Sequence, residues 1–188
     1  RNRFEVKEVV LEFEDLTESF DGYRIVHLSD IHARSFSRRA KQMQKAVDMI
    51  NDTDPDLVAF TGDLITLVPE ELGIITPVLG RIKAKDGVVS VLGNHDYCMY
   101  SDLPSEAKEK HLEEIIAREK SLGWIVLMDE NRFIRKGNDS IAVIGVQNTS
   151  ASVHFPSKGD LKNASEGTEG AFRIVLTHAP LHWESEIL

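Results

Sequence analysis

Hydrophobic positions along this chain fall into short apolar runs that alternate with longer amphipathic stretches. Apolar runs bounded by turn residues predict strands, and apolar positions three or four apart predict helices. Strands are predicted at Phe4–Phe13, Tyr23–Leu28, Leu57–Phe60, Val88–Leu92, Trp124–Met128, Arg132–Ile134, Ile141–Val146 and Ile174–Leu176. Helices are predicted from Ser37 as N-cap to about Asn51, from Pro69 and again past Pro77 to about Lys83, and over Ser105–Lys120. Residues 147–171 lack periodicity and predict a long loop, either a functional flap or a partly mobile segment.

Several of the predicted strands end in polar side chains that can bind metal ions. These ends are Asp30-x-His32, Gly62-Asp63, Gly93-Asn94-His95-Asp96 and His178. Because predicted helices separate the first three strands, right-handed crossovers should make them parallel, with their carboxyl ends at one edge. Carboxylate, imidazole and amide oxygen, without thiolate, are the ligands of divalent ions such as Mn²⁺, Fe, Zn²⁺ or Mg²⁺. A carboxylate can bridge two such ions about 3.5–4 Å apart, as in two-metal hydrolysis.

Composition narrows the class of protein without deciding it. The chain has 188 residues, of which 41% are hydrophobic and 28% charged, which predicts one globular domain over residues 1–188. The formal net charge of -9 disfavours nucleic acid as a partner. The one cysteine, Cys98, excludes an intrachain disulfide. No apolar run approaches the roughly 20 residues of a membrane span.

The first residue is Arg1 rather than an initiator methionine. We therefore expect the chain to be a piece of a longer protein. A signal peptide or membrane anchor upstream is compatible with this reading.

The ordered motifs Ser-Asp-x-His, Gly-Asp and Gly-Asn-His-Asp, from about Tyr23 to His178, resemble those of the calcineurin-like metallophosphoesterases. The stretch Phe-Asp-Gly-Tyr-Arg-Ile-Val-His-Leu-Ser-Asp-Ile-His is similar to a bacterial subgroup often found behind membrane or export segments. The resemblance implies an α/β fold, a two-sheet β-sandwich flanked by helices. It also implies a parent protein that is membrane-anchored or exported, with this domain outside the cytoplasm.

The resemblance further implies two divalent metal ions and a ligand set for them. Asp30 and His32 would hold the first ion, Asp63 would bridge both, and Asn94 with His178 would hold the second. A hydroxide that bridges the two ions would be the nucleophile that attacks phosphorus.

Two further residues take catalytic roles by the same resemblance. His95 would be the acid that protonates the leaving oxygen. Asp96 would fix the tautomer of His95 and raise its basicity.

One departure from the family pattern concerns the end of the domain. The family carries a later Gly-His-x-His motif with one histidine for each metal, and no such motif occurs here. We therefore expect a domain that lacks its C-terminal portion, with each ion short of one ligand. This predicts a piece that binds metal weakly or is inactive even where the longer protein is an enzyme. His182 lies one helical turn beyond His178, and it is either a surface residue or a substitute ligand.

The function that these observations favour is metal-dependent hydrolysis of a phosphate-ester substrate, with monoester or diester left undetermined. One alternative is a non-catalytic scaffold of the same fold, against which the retained His95 argues. Another is a nuclease, which the net charge of -9 disfavours.

Overall fold

A computed structural model describes residues 4–150 and 157–181. Strands are β1 (Ile25–Leu28), β2 (Leu57–Phe60), β3 (Val88–Ser90), β4 (Ile125–Val126), β5 (Glu130–Lys136), β6 (Asp139–Gly145) and β7 (Phe172–Leu176). The α-helices are α1 (Ala40–Asp52), α2 (Thr76–Leu79), α3 (Ser105–Ser121) and α4 (Leu161–Ala164). Short 3₁₀ helices lie at Glu18–Phe20, Ala33–Phe36, Pro69–Ile74 and His95–Tyr97.

The strands form two sheets within the described residues. The first is parallel, in the order β1-β2-β3-β4. The second has the order β5-β6-β7, with β6 antiparallel to β5 and parallel to β7. Parallel pairing places the carboxyl ends of β1, β2 and β3 at one edge, as the alternation of strands and helices predicts.

Hydrophobic side chains arrange these elements in four layers. Leu57 and Val89 of the first sheet share a buried cluster with Ile141 and Val143 of the second, so the two sheets face each other. The opposite face of the first sheet packs against α1, α2 and α3, and the outer face of the second packs against α4. This helix–sheet–sheet–helix order confirms the predicted α/β sandwich flanked by helices.

The predicted strand at Phe4–Phe13 is wrong, because residues 4–13 adopt no strand. A strand needs a neighbour that completes its hydrogen-bond ladder, and none of the described strands pairs with this segment. Its side chains instead make isolated ring contacts, Phe4 with Phe36 and Phe13 with Phe172. Val9, Val10 and Leu11 remain exposed.

The predicted helix boundaries also need correction. Ser37 is not the N-cap of α1, because it lies in a helical conformation and its N–H donates to the carbonyl of Arg34. An N-cap residue is usually extended. The helical turn predicted at Pro69 is a 3₁₀ helix, and the predicted second segment is α2, which begins at Thr76 and ends at Leu79 rather than near Lys83. The loop predicted at 147–171 contains α4, which is too short for a periodic signal and is capped by Asp160.

Glu119 of α3 is a buried acid between that helix and the first sheet. Its side chain is fully buried, and Ser90 of β3 donates a hydroxyl hydrogen to its Oε2. Burial, followed by the charge of Asp96, raises the pKa of Glu119 to about 8, against the lowering effect of the Ser90 hydrogen bond. We therefore expect this carboxyl group to be protonated at neutral pH.

The contribution of Glu119 to the free energy of unfolding should consequently fall as the pH rises from about 4.5 to about 8. The folded state binds the Glu119 proton more tightly than the unfolded state. Its stabilising contribution is therefore complete below the ordinary pKa and is lost as the pH rises through the folded pKa. Urea denaturation from about pH 5 to about pH 9 measures the free energy of unfolding of wild type and of Glu119→Gln. Between the two pKa values, wild type should lose on the order of 1 kcal/mol more per pH unit than the variant. Equal slopes for the two proteins would contradict this assignment.

Within the described residues, none of the helices has the length and apolar character that are needed to cross a membrane.

Candidate metal centre

Two loops that follow β1 and β2 meet at the carboxyl edge of the first sheet. The N–H of Asp30 donates to the carbonyl of Gly62, and the N–H of His32 donates to that of Asp63, each at 3.0 Å. Asp30, His32 and Asp63 have φ of 54°, 46° and 59°. Such left-handed conformations cost a non-glycine residue about 1–3 kcal/mol and concentrate at functional sites. The loops therefore hold three predicted ligands in conformations that the surrounding structure must enforce.

Gly62 and Gly93 allow the loops after β2 and β3 to pass in direct contact. A Cβ atom on Gly62 would lie 2.2 Å from the nitrogen of Gly93, and one on Gly93 would lie 2.2 Å from Oδ1 of Asp63. Gly62 also has φ of 91°, which favours glycine. A side chain on Gly62 would push the backbone of the loop after β3 away, and a side chain on Gly93 would displace Asp63. Both motifs therefore need glycine for steric reasons.

Asp96 is fully buried and ties the loops after β2 and β3 together. Its carboxylate accepts four backbone N–H groups at 2.8–3.2 Å, from Asp63, Leu64, Ile65 and Gly93. Burial raises the pKa of Asp96 to about 6, against the lowering effect of these hydrogen bonds. Asp96 therefore fixes the backbone around Asp63.

The sequence predicts Asp96 as the partner of the His95 ring, and the structure places a backbone acceptor beside that ring. Nδ1 of His95 lies 2.7 Å from the carbonyl oxygen of Thr66, and the N–H of His95 donates to Oδ1 of Asp63 at 2.9 Å. The Asp96 carboxylate accepts hydrogen bonds from four backbone N–H groups of the loops, and these occupy its oxygen atoms. The Thr66 carbonyl orients His95 in its place.

Asp63 lies between two histidines that come from different sheets. Its Oδ2 is 3.6 Å from Nε2 of His32 and 3.6 Å from Nε2 of His178. The side chain of Asp63 is 4% exposed, whereas that of Asp30, whose Oδ1 is 3.7 Å from Nε2 of His32, is 56% exposed. The structure therefore places one buried carboxylate oxygen at the centre of the predicted ligands.

Both of these histidines are oriented by a backbone carbonyl. Nδ1 of His32 lies 3.2 Å from the carbonyl oxygen of Ile65, and Nδ1 of His178 lies 2.8 Å from that of Thr61. An Nδ1 that donates to a carbonyl leaves Nε2 with its lone pair in the neutral ring. Histidines that ligate metals almost always donate their other N–H in this way.

Asn94 and His178 show a contact that a cation would explain. Nε2 of His178 is 3.0 Å from Oδ1 of Asn94, while Nδ2 of Asn94 donates to the hydroxyl of Tyr100 at 2.9 Å. Two lone pairs at this distance repel each other unless a proton or a cation lies between them. A proton on Nε2 makes this contact a hydrogen bond, and without that proton the imidazole nitrogen and the amide oxygen are donor atoms of the kind that ligate divalent ions.

The acidic and imidazole donors form two overlapping groups within the described residues. His32, Asp63 and His95 make one group, and Asp30, Asp63 and His178 make the other, with ligand atoms within 4.8 Å of one another in each. Asp63 belongs to both groups, as expected of a bridging ligand. His95, predicted only as an acid, also lies within reach of a ligand group. His182, the suggested substitute ligand, lies outside the described residues.

Comparison with known proteins agrees with this geometry. The family profile described as "Calcineurin-like phosphoesterase" matches residues 23–187. The chain belongs to the calcineurin-like phosphoesterase family. The predicted family membership is thus confirmed.

Relatives of this phosphoesterase family member come from animals and bacteria. A "Transmembrane protein with metallophosphoesterase domain" from Danio rerio is 32% identical over 179 residues, covering 93% of this chain and 39% of the relative. The "Uncharacterized metallophosphoesterase YkoQ" of Bacillus subtilis is 25% identical over 83% of this chain and 53% of the relative. The "UDP-2,3-diacylglucosamine pyrophosphatase LpxG" of Chlamydia muridarum is 31% identical over 52% of this chain and 30% of the relative. The chain thus spans between 30% and 53% of the length of these three relatives.

A polar cleft opens beside Asn94 and His178 in this phosphoesterase domain. Its volume is about 280 Å³, and its walls include Tyr100, Asn148 and Thr149.

Sequence reasoning did not find Tyr100, whose ring stacks on that of His95 with centroids 4.0 Å apart and planes at 16°. It also missed the carbonyls of Thr61, Ile65 and Thr66, because backbone acceptors carry no residue signature.

Proposed function

We propose that this site hydrolyses phosphate esters with the help of two divalent ions. The position of Asp63 carries the proposal, since its buried Oδ2 is equidistant from Nε2 of His32 and Nε2 of His178. Asp30 and His32 would hold one ion and Asn94 with His178 the other, with Asp63 shared between them. Mn²⁺, Fe, Zn²⁺ and Mg²⁺ all suit these ligands.

The ions, when bound, would activate water as the nucleophile for phosphorus and would supply positive charge that offsets the phosphoryl oxygens. His95 would donate a proton from Nε2 to the leaving oxygen while the phosphorus–oxygen bond breaks, because its Nδ1 is engaged by Thr66. Asp96 would act through the backbone, since its carboxylate fixes the loops that carry Asp63. The chain's own residues thus provide the ligand positions and the proton.

The experiment is a nitrophenol-release assay on the full-length protein after loading with Mn²⁺. Nitrophenyl phosphate reports monoesterase activity, and bis(nitrophenyl) phosphate reports diesterase activity. We expect turnover of at least one of them that EDTA abolishes and Mn²⁺ restores. A chain that binds Mn²⁺ but turns over neither ester would support the scaffold alternative instead.

The nuclease alternative has less support. The chain carries a net charge of -9, and binding to nucleic acid depends on neutralising phosphates with cationic side chains.

We also propose that the whole protein is associated with a membrane. Relatives from Danio rerio and Bos taurus are each named as a transmembrane protein with this domain. The anchor would lie outside these 188 residues. Retention of the full-length protein in a carbonate-washed membrane pellet would support the proposal, and recovery in the soluble fraction would contradict it.

A further inference from the structure

We propose that Tyr100 is a positioning residue that turns the amide of Asn94 so that Oδ1 faces a bound ion. The inference rests on the proposed metal site and adds a residue to it. An amide group ligates a cation only through its oxygen, because its nitrogen carries two hydrogens and no available lone pair. The orientation of the Asn94 amide therefore decides whether this residue is a ligand.

The Tyr100 hydroxyl provides the acceptor that the ligating orientation requires. With Oδ1 of Asn94 turned toward His178 at 3.0 Å, Nδ2 points away and donates to the Tyr100 hydroxyl at 2.9 Å. Without that acceptor, turning Oδ1 inward would leave Nδ2 without this partner. A lost hydrogen bond typically has a net cost that corresponds to a severalfold change in an equilibrium constant.

The position of the Tyr100 hydroxyl is itself determined by the site. The tyrosine ring stacks on His95 at a centroid distance of 4.0 Å, and His95 is held by the carbonyl of Thr66 at 2.7 Å. A chain of contacts thus runs from Thr66 through His95 and Tyr100 to Asn94. Tyr100 is 46% exposed, so a purely structural role in the core does not explain these contacts.

Two substitutions separate the hydroxyl from the ring. Tyr100→Phe keeps the ring against His95 and removes the acceptor for Asn94, whereas Tyr100→Leu removes both. Tyr23→Phe is the matched control, because the Tyr23 hydroxyl donates to Asp86 at 2.8 Å, outside the metal site. Calorimetric titration of Mn²⁺ into the metal-free 188-residue chain measures the affinity of each variant.

We expect Tyr100→Phe to bind Mn²⁺ about threefold to tenfold more weakly than wild type, and Tyr23→Phe to bind it equally well. Raising the Mn²⁺ concentration should restore the turnover of Tyr100→Phe, because only metal occupancy is affected. In an Asn94→Ala background, Tyr100→Phe should change the affinity for Mn²⁺ less than about twofold, since no amide remains to be oriented.

The outcomes distinguish this inference from the proposed function. If wild type binds Mn²⁺ and Tyr100→Phe binds it with equal affinity, the positioning role is wrong and the metal site stands. An equal loss in the Asn94→Ala background would also overturn it, since the effect would not pass through the amide. If wild type binds no Mn²⁺, the proposed function itself fails and the positioning role fails with it.

Discussion

Replacing Asp63 with asparagine should abolish metal-dependent hydrolysis and weaken Mn²⁺ binding by at least about 100-fold. Residues that hydrogen-bond to a metal ligand typically contribute about 10–100-fold to the affinity for the metal. A ligand that two ions share should contribute more. Oδ2 of Asp63 lies 3.6 Å from Nε2 of His32 and 3.6 Å from Nε2 of His178. Removing its charge would weaken both sites together. Nitrophenol release and Mn²⁺ calorimetry measure the two effects.

Asp48→Asn is the matched control for this substitution. Asp48 lies on the exposed face of α1, where it accepts a hydrogen bond from Gln44 of the same helix. We expect the control to keep wild-type turnover and affinity. An Asp63→Asn protein that keeps two bound ions would show that Asp63 does not bridge them.

Replacing His95 with asparagine should lower kcat by about 10²–10⁴-fold, the usual contribution of a general acid or base. Metal content should stay at the wild-type value, because the proposed role is proton donation rather than ligation. His95 also falls within ligand distance of His32 and Asp63, so the measurement separates two roles. Single-substrate kinetics and metal analysis on the same preparation give both quantities.

His111→Asn provides the corresponding control, since His111 lies on α3 and belongs to neither ligand group. It should leave kcat unchanged. Loss of a bound ion in His95→Asn would make His95 a ligand, and full turnover with normal metal content would make it neither ligand nor acid.

The sequence predicts the candidate site because each of its loops follows a buried parallel strand. Leu57–Phe60 is a strand with the predicted bounds, and its four residues are all buried. A short apolar run of this kind is typical of a strand that is covered on both faces. Once the crossovers make the strands parallel, Asp30, Asp63 and Asn94 must share one edge. His178 reaches the same edge from the second sheet, 117 residues from its partner Thr61. Its place follows from the resemblance rather than from local pattern.

Other features depend on partners that a linear pattern does not reveal. The alternation at Phe4–Phe13 resembles a strand, but whether a ladder partner exists is decided elsewhere in the chain. The carboxylate of Asp96 appears next to His95 in sequence, yet it turns to four backbone N–H groups. Tyr100 lies five residues beyond His95, where only the fold brings the two rings together.

Metal content per chain is the most direct test of a dinuclear centre. The 188-residue protein would be loaded with Mn²⁺ and desalted. Its manganese content would be measured by elemental mass spectrometry and divided by the protein concentration. Two ions per chain in wild type, reduced by Asp63→Asn, are the expected result. One ion or none per chain in wild type would contradict the proposal that these residues hold two metals.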